Sequence, residues 1–150
     1  MVMTRGKLRR SIDTERVQAA VAACERRTSA EIRVSLSTFF WGRVESAAHK
    51  AFDRLGMRNT EQRNGVLIFV VPSRRTFVVL GDEGIHAKVG DAFWRSVAAA
   101  ISERFKDGDF TGGLVRGIEA VGEALAEHFP HDGDRAGNEL PDDVDLGGEE

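Results

Sequence analysis

The chain has 150 residues and a mass of 16.5 kDa, of which 41% are hydrophobic and 30% charged, a size and composition typical of one globular domain. Its formal net charge is −3 and its apolar runs are far shorter than the ~20 residues that a membrane span needs. The single cysteine excludes an internal disulfide and a zinc site made of several thiolates. No apolar stretch follows the charged first ten residues, so we expect no secretory signal peptide and a cytoplasmic protein.

The charge is unevenly distributed and divides the chain into three segments. Residues 1–10 carry four basic residues, whereas residues 131–150 hold eight acidic residues against one arginine. The acidic segment is rich in glycine and has no apolar periodicity, so it is predicted to be a disordered tail, either an interaction arm or a solvating tail. We expect the folded domain to cover residues 11–130. The basic arm lacks interleaved aromatic residues, and we therefore expect no nucleic-acid binding.

The first half of the chain alternates helix and strand patterns. Residues 14–27 place apolar side chains on one helical face, and residues 31–38 alternate apolar and polar side chains as a half-buried strand does. A second amphipathic helix is predicted over 43–55, ended by Gly56 in a left-handed conformation.

The second half begins with a hairpin. The turn signal Asn64-Gly65 precedes the apolar strand 66–71, Pro72 fixes a tight turn, and the chain returns as the strand 76–80. These two strands are therefore antiparallel. The strands 31–38 and 66–71 are joined through a helix and are predicted to be parallel.

The remainder is predicted to be helical after one loop. Residues 81–90 are interpreted as a glycine-bounded loop, followed by a helix over 92–106 that Asp91 caps, and by a last helix over 110–128. Helices before, between and after the strands cover both faces of the sheet. The fold class is therefore a three-layer α/β/α sandwich with a small mixed sheet. Gly113 and Gly117 are expected to let the last helix approach a neighbour closely.

Strand direction predicts an acidic edge of this sheet, because the starts of parallel strands and the end of an antiparallel strand lie together. The residues next to those strand ends are Glu31, Arg63, Asn64, Asp82 and Glu83, with Asp91 closing the group. Oxygen ligands of this kind suit calcium or magnesium, so Glu31, Asp82, Glu83 and Asp91 are the candidate metal ligands. In the alternative interpretation, Arg33 or Arg63 neutralises the carboxylates and the aspartates cap backbone.

Two other groups are candidates for function. Asp107 and Asp109 flank a glycine in an acidic turn, at the far end of a helix about 22 Å long, and form either part of a calcium loop or a helix stop and cap. Phe39, Phe40 and Trp41 follow the first strand at the opposite edge of the sheet. They form either a docking surface for a protein partner or a lid over the core.

Four sequence blocks resemble the TPM domain family, in an order and spacing that match over about residues 11–130. The blocks are TSAEIRV (28–34), RNGVLIF (63–69), GDEGI (81–85) and FKDGDF (105–110) with GGL (112–114) and HFP (128–130). The resemblance implies an α/β/α sandwich and calcium binding, and for some members acid phosphatase activity. The family includes a thylakoid lumen protein linked to photosystem II repair.

The chain departs from the family pattern at one loop. Many members carry glycine–tyrosine–glycine–leucine–glutamate before an aspartate, whereas the matching residues here are DEGIH (82–86) followed by Asp91, so His86 stands where those members have glutamate. Without a signal peptide or a membrane anchor, the chain resembles the stand-alone cytoplasmic branch of the family.

Two functions are consistent with these patterns. The first is a non-catalytic module, stabilised by a divalent cation, that acts through a protein partner. The second is a metal-assisted acid phosphatase in which Asp82 or Asp91 serves as metal ligand or nucleophile and Arg33 or Arg63 holds the phosphate. The sequence contains no phosphate-binding glycine loop, no G-x-S-x-G elbow and no visible nucleophile–base pair, which favours the module. An arginine that points into an open acidic pocket would favour the phosphatase, and one consumed in a buried ion pair would favour the module.

Overall fold

The computed structural model describes residues 12–38, 41–131 and 144–146. A 3-10 turn over Pro72–Arg74 connects the second and third strands. The helices and strands follow the order α1 (Thr14–Glu25), β1 (Glu31–Leu36), α2 (Val44–Arg54), β2 (Gly65–Val71), β3 (Thr76–Gly81), α3 (Glu83–Phe105) and α4 (Phe110–His128). Among the described residues, no helix is both long and apolar enough to span a membrane.

The three strands form one mixed sheet in the order β1-β2-β3. β1 and β2 are parallel with Glu31 opposite Gly65, and β2 and β3 are antiparallel with Val66 opposite Gly81. The predicted strand directions are thereby confirmed. The edge formed by Glu31, Gly65 and Gly81 contains the starts of β1 and β2 and the end of β3, and we call it the acidic rim.

Helices cover both faces of the sheet. Val34 and Ile68 lie in the larger core, which α1, α3 and α4 complete, whereas Leu67 and Phe69 contact α2 on the other face, where Phe52 is buried. This alternation follows from the period of two along each strand. The three-layer α/β/α sandwich is therefore confirmed.

The predicted close approach of α4 to a neighbouring helix is also confirmed. A β-carbon at Gly113 would lie 2.6 Å from Cδ1 of Phe105, and one at Gly117 would lie 2.6 Å from Cδ1 of Ile101, both on α3. The absence of a side chain at these two positions lets the helices pack at short range.

The predicted loop over residues 81–90 is wrong, because α3 begins at Glu83 and continues through a kink at Gly90, where φ is 75°. Asp82, rather than Asp91, caps the start of this helix. Gly84 has a packing role, since a β-carbon there would lie 2.1 Å from the carbonyl oxygen of Gln62. The glycines that suggested a loop supply a close contact and a kink within a helix.

Part of the acidic tail lies against the sheet. Val144, Asp145 and Leu146 are described and run beside β1, and here the structure differs from the expected disordered tail. The basic arm and residues 132–143 and 147–150 lie outside the described residues. The proposed domain boundaries stay a prediction.

Candidate functional site

Arg63 is the centre of the acidic rim. It lies in the turn before β2 with a left-handed φ of 52°. Its guanidinium donates to both carboxylate oxygens of Asp82, from Nε to Oδ2 at 2.7 Å and from Nη2 to Oδ1 at 3.0 Å. Nη1 also lies 3.1 Å from Oε2 of Glu83. The planar fork of arginine matches a carboxylate in this way, so Asp82 is held in a bidentate ion pair.

Asp82 also connects three parts of the fold. Its carboxylate accepts from the backbone N–H of Glu83 at 2.8 Å and so caps α3, while its own N–H donates to the carbonyl oxygen of Gly65 at 2.9 Å. The N–H of Gly84 donates to the carbonyl oxygen of Arg63 at 2.8 Å. The Asp82 side chain is only 4% exposed. The end of β3, the start of β2 and the start of α3 are therefore joined around one buried carboxylate.

The electrostatics of this ion pair favour the charged form of Arg63. The hydrogen bond from Arg63 to Asp82, with the nearby charges of Asp82 and Glu83, raises the pKa of the guanidinium, and partial burial opposes this only in part. A buried carboxylate is costly unless it is paired and hydrogen-bonded, and Arg63 satisfies that need. The rim thus contains an arginine that pairs with two of its acids, Asp82 and Glu83.

A cavity of about 250 Å³ lies beside the ion pair. It is lined by His49, Phe52, Arg58, Arg63, Leu80, Gly81, Asp82, Glu83 and His86. Both ring nitrogens of His86 face a neighbour: Nε1 of Trp94 donates to Nδ1 at 3.0 Å, and Nε2 lies 3.6 Å from Oδ1 of Asp91. Because Nδ1 accepts a hydrogen bond, the proton of the neutral ring is on Nε2.

Six of the nine lining residues were not identified as site residues from the sequence, and three of these six carry polar side chains: His49, Arg58 and His86. His86 follows Glu83 by one turn of α3, a spacing that was hidden because these residues were interpreted as a loop. His49 precedes Phe52 by one turn of α2. This spacing in the sequence indicates that the two side chains lie on the same face of the helix. Arg58 pairs with Asp53 at 3.0 Å and lies over the ring of Phe52.

Glu31, Asn64 and Arg33 complete the rim prediction. Glu31 is buried at the start of β1, opposite Gly65. Asn64 is buried, and its side-chain amide makes no hydrogen bond to the described residues, although its backbone N–H donates to Oγ1 of Thr60. Arg33 lies within β1 and is not among the residues that line the cavity.

The four candidate metal ligands do not form one cluster. Asp82 and Glu83 share Arg63, whereas Asp91 lies beside His86 and its side chain is largely exposed. In residues 12–38, 41–131 and 144–146, no three or more His, Cys, Asp or Glu side chains are arranged to hold a metal ion.

The second acidic turn acts as a helix stop. Asp109 caps α4 by accepting from the N–H of Gly112 at 2.9 Å, and Arg104 donates to it at 3.2 Å. The hydrogen bond from Gly112, then the contact with Arg104, lowers the pKa of Asp109. Arg75, beside the start of β3, donates to the carbonyl oxygen of Lys106, which places Asp107 near the sheet edge opposite the acidic rim.

Of the predicted aromatic group Phe39, Phe40 and Trp41, the described residues include Trp41. Trp41 is 75% exposed and is the one large hydrophobic side chain with high exposure among the described residues. Phe39 and Phe40 lie outside the described residues. Arg74 donates to the carbonyl oxygen of Gly42 at 3.0 Å, which fixes the end of this loop beside the turn that follows β2.

Comparison with known families agrees with this fold. A family model described as TPM domain matches residues 6–124. The chain belongs to the TPM domain family. The NMR structure of the BA42 protein from Bizionia argentinensis is 41% identical, with 90% of this chain and 92% of that chain covered and a TM-score of 0.84.

Two more distant structures share the fold of this TPM domain. The N-terminal domain of the cg2496 protein from Corynebacterium glutamicum is 20% identical, with 74% and 70% of the two chains covered and a TM-score of 0.59. The N-terminal domain of a protein from P. gingivalis is 19% identical, with 87% and 98% covered and a TM-score of 0.59. A search of the curated proteins found no match.

Proposed function

We propose that this TPM domain is a non-catalytic binding module that acts through a protein partner. The observation that carries the proposal is the bidentate ion pair between Arg63 and Asp82. A phosphatase at the rim would need the arginine to hold the phosphate and the carboxylate to attack it or to bind a metal ion. Here each of these two groups is the partner of the other.

The histidine of the cavity supports the same proposal. A general base needs a ring nitrogen that is open to the substrate. In His86, Nδ1 accepts from Trp94 and Nε2 faces Asp91. Because Nδ1 accepts from Trp94, that nitrogen does not serve as a general base in this arrangement.

Trp41 is the residue through which the module is proposed to bind its partner. Tryptophan side chains supply a large share of binding energy at protein interfaces, where they act as buried anchors. Trp41 is highly exposed, and the backbone next to it is held by Arg74. A hydrogen bond that holds the backbone beside an exposed indole reduces the conformational entropy that is lost when a partner covers the indole.

Assays on the purified chain test the catalytic part of the proposal. With an aryl phosphate, and with chelator, calcium or magnesium present, we expect turnover far below the ~1 s⁻¹ low end of typical enzymes. The same assay is run on Asp82→Asn. Turnover near 1 s⁻¹ that is lost in this variant would establish the phosphatase and refute the module.

The partner part is tested with Trp41→Ala and, as a matched control, Arg43→Ala, which removes an exposed neighbouring side chain. A protein retained by the immobilised wild-type chain is purified, and its dissociation constant is measured with each variant. We expect Trp41→Ala to weaken binding about 30-fold, as loss of a ~2 kcal/mol anchor does, and Arg43→Ala to have little effect. Equal dissociation constants for wild type and both variants would show that Trp41 is not part of the interface.

Cation binding at the rim is a second candidate, favoured by one observation. The buried amide of Asn64 makes no hydrogen bond to the described residues, and its oxygen is a ligand type that calcium and magnesium accept. With Arg63 in place the other rim oxygens do not fit an ion, because Asp82 and Glu83 already share a positive charge. We therefore expect neither ion to raise the thermal midpoint of the wild-type chain, and calcium to raise that of Arg63→Gln, in which these carboxylates lose their cation. A wild-type midpoint that rises with calcium after chelator treatment would instead establish the cation site.

A further inference from the structure

The outer edge of β1 is occupied by a short piece of the chain's own acidic tail. Asp145 pairs with Ser35 as an isolated parallel bridge. The N–H of Leu36 donates to the carbonyl oxygen of Asp145 at 2.7 Å, and the N–H of Asp145 donates to the carbonyl oxygen of Val34 at 2.9 Å. The tail thus pairs with one outward N–H and one outward carbonyl of a strand whose other edge is paired with β2.

Side chains make this contact selective for an aspartate. Oδ2 of Asp145 accepts from Oγ of Ser35 at 2.8 Å and from Nη2 of Arg54, at the end of α2, also at 2.8 Å. Ser35 is fully buried and Arg54 is partly exposed, so the carboxylate lies where a buried hydroxyl and a surface cation meet.

The residues on either side of Asp145 are apolar and add to the larger core. Val144 is buried, and Leu146 packs against the same cluster. The edge therefore recognises three features together: an extended backbone parallel to β1, an aspartate, and aliphatic side chains before and after it.

We propose that this edge of β1 is a peptide-binding site that takes an extended aliphatic–aspartate–aliphatic segment of a partner protein, and that Val144–Leu146 is a tethered competitor for it. Extended peptides add to open sheet edges in this way, with main-chain hydrogen bonds giving affinity and side-chain contacts giving specificity. The proposal depends on other residues than Trp41, so either can fail without the other.

The contact between the tail and β1 is short, so a segment of another protein can replace the tail at this edge. The bound segment belongs to the same chain as the edge it occupies, so its binding is intramolecular and a partner segment competes against an effective concentration. The described contact covers three residues and consists of two backbone hydrogen bonds, the hydrogen bond from Ser35, one partly exposed ion pair and the packing of Val144 and Leu146 against the core. A partner segment with more flanking contacts displaces it.

Binding of a labelled peptide in trans tests the proposal. The probe is a fluorescein-labelled peptide of residues 141–150, and its anisotropy is measured with the full-length chain and with full-length Asp145→Ala, in which the tail is a weaker competitor. Because apparent affinity falls with the fraction of sites that are open, we expect Asp145→Ala to bind the peptide about tenfold more tightly than wild type.

Matched variants report whether the contact is the one described. Adding Arg54→Ala to Asp145→Ala should abolish the gain, whereas adding Arg58→Ala should preserve it, because Arg58 pairs with Asp53 instead. A peptide with asparagine in place of Asp145 should bind at least tenfold more weakly. Hydrogen exchange at the Leu36 amide should speed up in Asp145→Ala and slow again when the peptide is added, in chains with unchanged circular dichroism.

Three results would overturn the proposal. The first is an Asp145→Ala chain that binds the peptide no better than wild type does, and the second is binding that does not depend on Arg54. The third is a concentration-dependent wild-type dimer, measured by light scattering, that Asp145→Ala dissociates; the occupant would then be the tail of a second copy rather than a partner protein.

Discussion

Replacing Asp82 with alanine tests whether its contacts at the acidic rim stabilise the junction of β2, β3 and α3. The carboxylate caps α3 through the N–H of Glu83, and loss of such a cap costs about 1 kcal/mol. It also accepts two charge-assisted hydrogen bonds from Arg63, for which we allow about 1–2 kcal/mol because that guanidinium is 36% exposed and regains water. We therefore expect Asp82→Ala to lower the free energy of unfolding by about 2–3 kcal/mol and the thermal midpoint by roughly 5–10 °C.

Urea denaturation followed by circular dichroism measures this loss, with the midpoint concentration falling at an unchanged slope. Glu83→Ala is the matched control, because it removes the neighbouring carboxylate, which is 72% exposed, and should change stability by less than about 0.5 kcal/mol. Both variants are measured in chelator, so that no bound cation contributes. An Asp82→Ala chain that is as stable as wild type in chelator would show that Asp82 does not stabilise the fold. Asp82 would then again be a candidate metal ligand.

Three further predictions concern single residues. Burial, followed by the charge of Glu25, raises the pKa of the Cys24 thiol to about 12, so a thiol reagent at pH 8 should label it only as the chain unfolds; rapid labelling of folded protein would contradict the buried position. The pKa of Asp109 is lowered, so its contribution to stability is complete above about pH 4 and is lost as pH falls through the lower folded value. Asp109→Asn should therefore lose less stability than wild type below pH 4 in acid titrations followed by circular dichroism, and parallel curves would contradict this. Gly84→Ala should destabilise the fold by at least about 2 kcal/mol, since the new methyl group meets the carbonyl oxygen of Gln62, and a wild-type urea midpoint would show that this contact relaxes.

Strand order and direction were predictable from the sequence because they depend on local patterns. The alternation at β1, the apolar run of β2 and the Pro72 turn each act over a few residues. The start of α3 was not predictable in this way. Gly84 is glycine because the helix passes the Gln62 backbone, and Gly90 because the helix kinks there, and neither cause is visible within the segment itself.

The bound part of the tail was missed for a different reason. Three residues are too few to show a period of two, and their charged neighbours are typical of a disordered segment. What orders Asp145 is the pair formed by Ser35 and Arg54, more than 90 residues earlier in the chain. Contacts of this kind depend on the folded edge of β1 and cannot be predicted from the composition of the tail.

The sequence predicted where the site lies but not which of its side chains contact one another. Strand polarity predicted that Arg63, Asp82 and Glu83 lie together, and the structure places them within hydrogen-bond or ion-pair distance. Strand polarity leaves open which acid an arginine pairs with. That choice depends on the left-handed turn at Arg63 and on the helix that starts at Glu83.

At the acidic rim of this TPM domain, His86 is the residue that differs from the pattern implied by the family resemblance. An acid at the position of His86, as in the pattern that the resemblance implies, would add negative charge beside Glu83 and Asp91. The imidazole instead accepts from Trp94, whose ring packs against Gly81 at the end of β3 so closely that a β-carbon at Gly81 would lie 2.3 Å from it. His86 and Trp94 therefore brace β3 against α3, next to the ion pair that joins α3 to β2. Arg63 is paired with Asp82 and Glu83, and Nδ1 of His86 accepts from Trp94, so the rim joins the sheet to α3. The Trp41 loop and the outer edge of β1 are then the surfaces through which we propose that the domain acts.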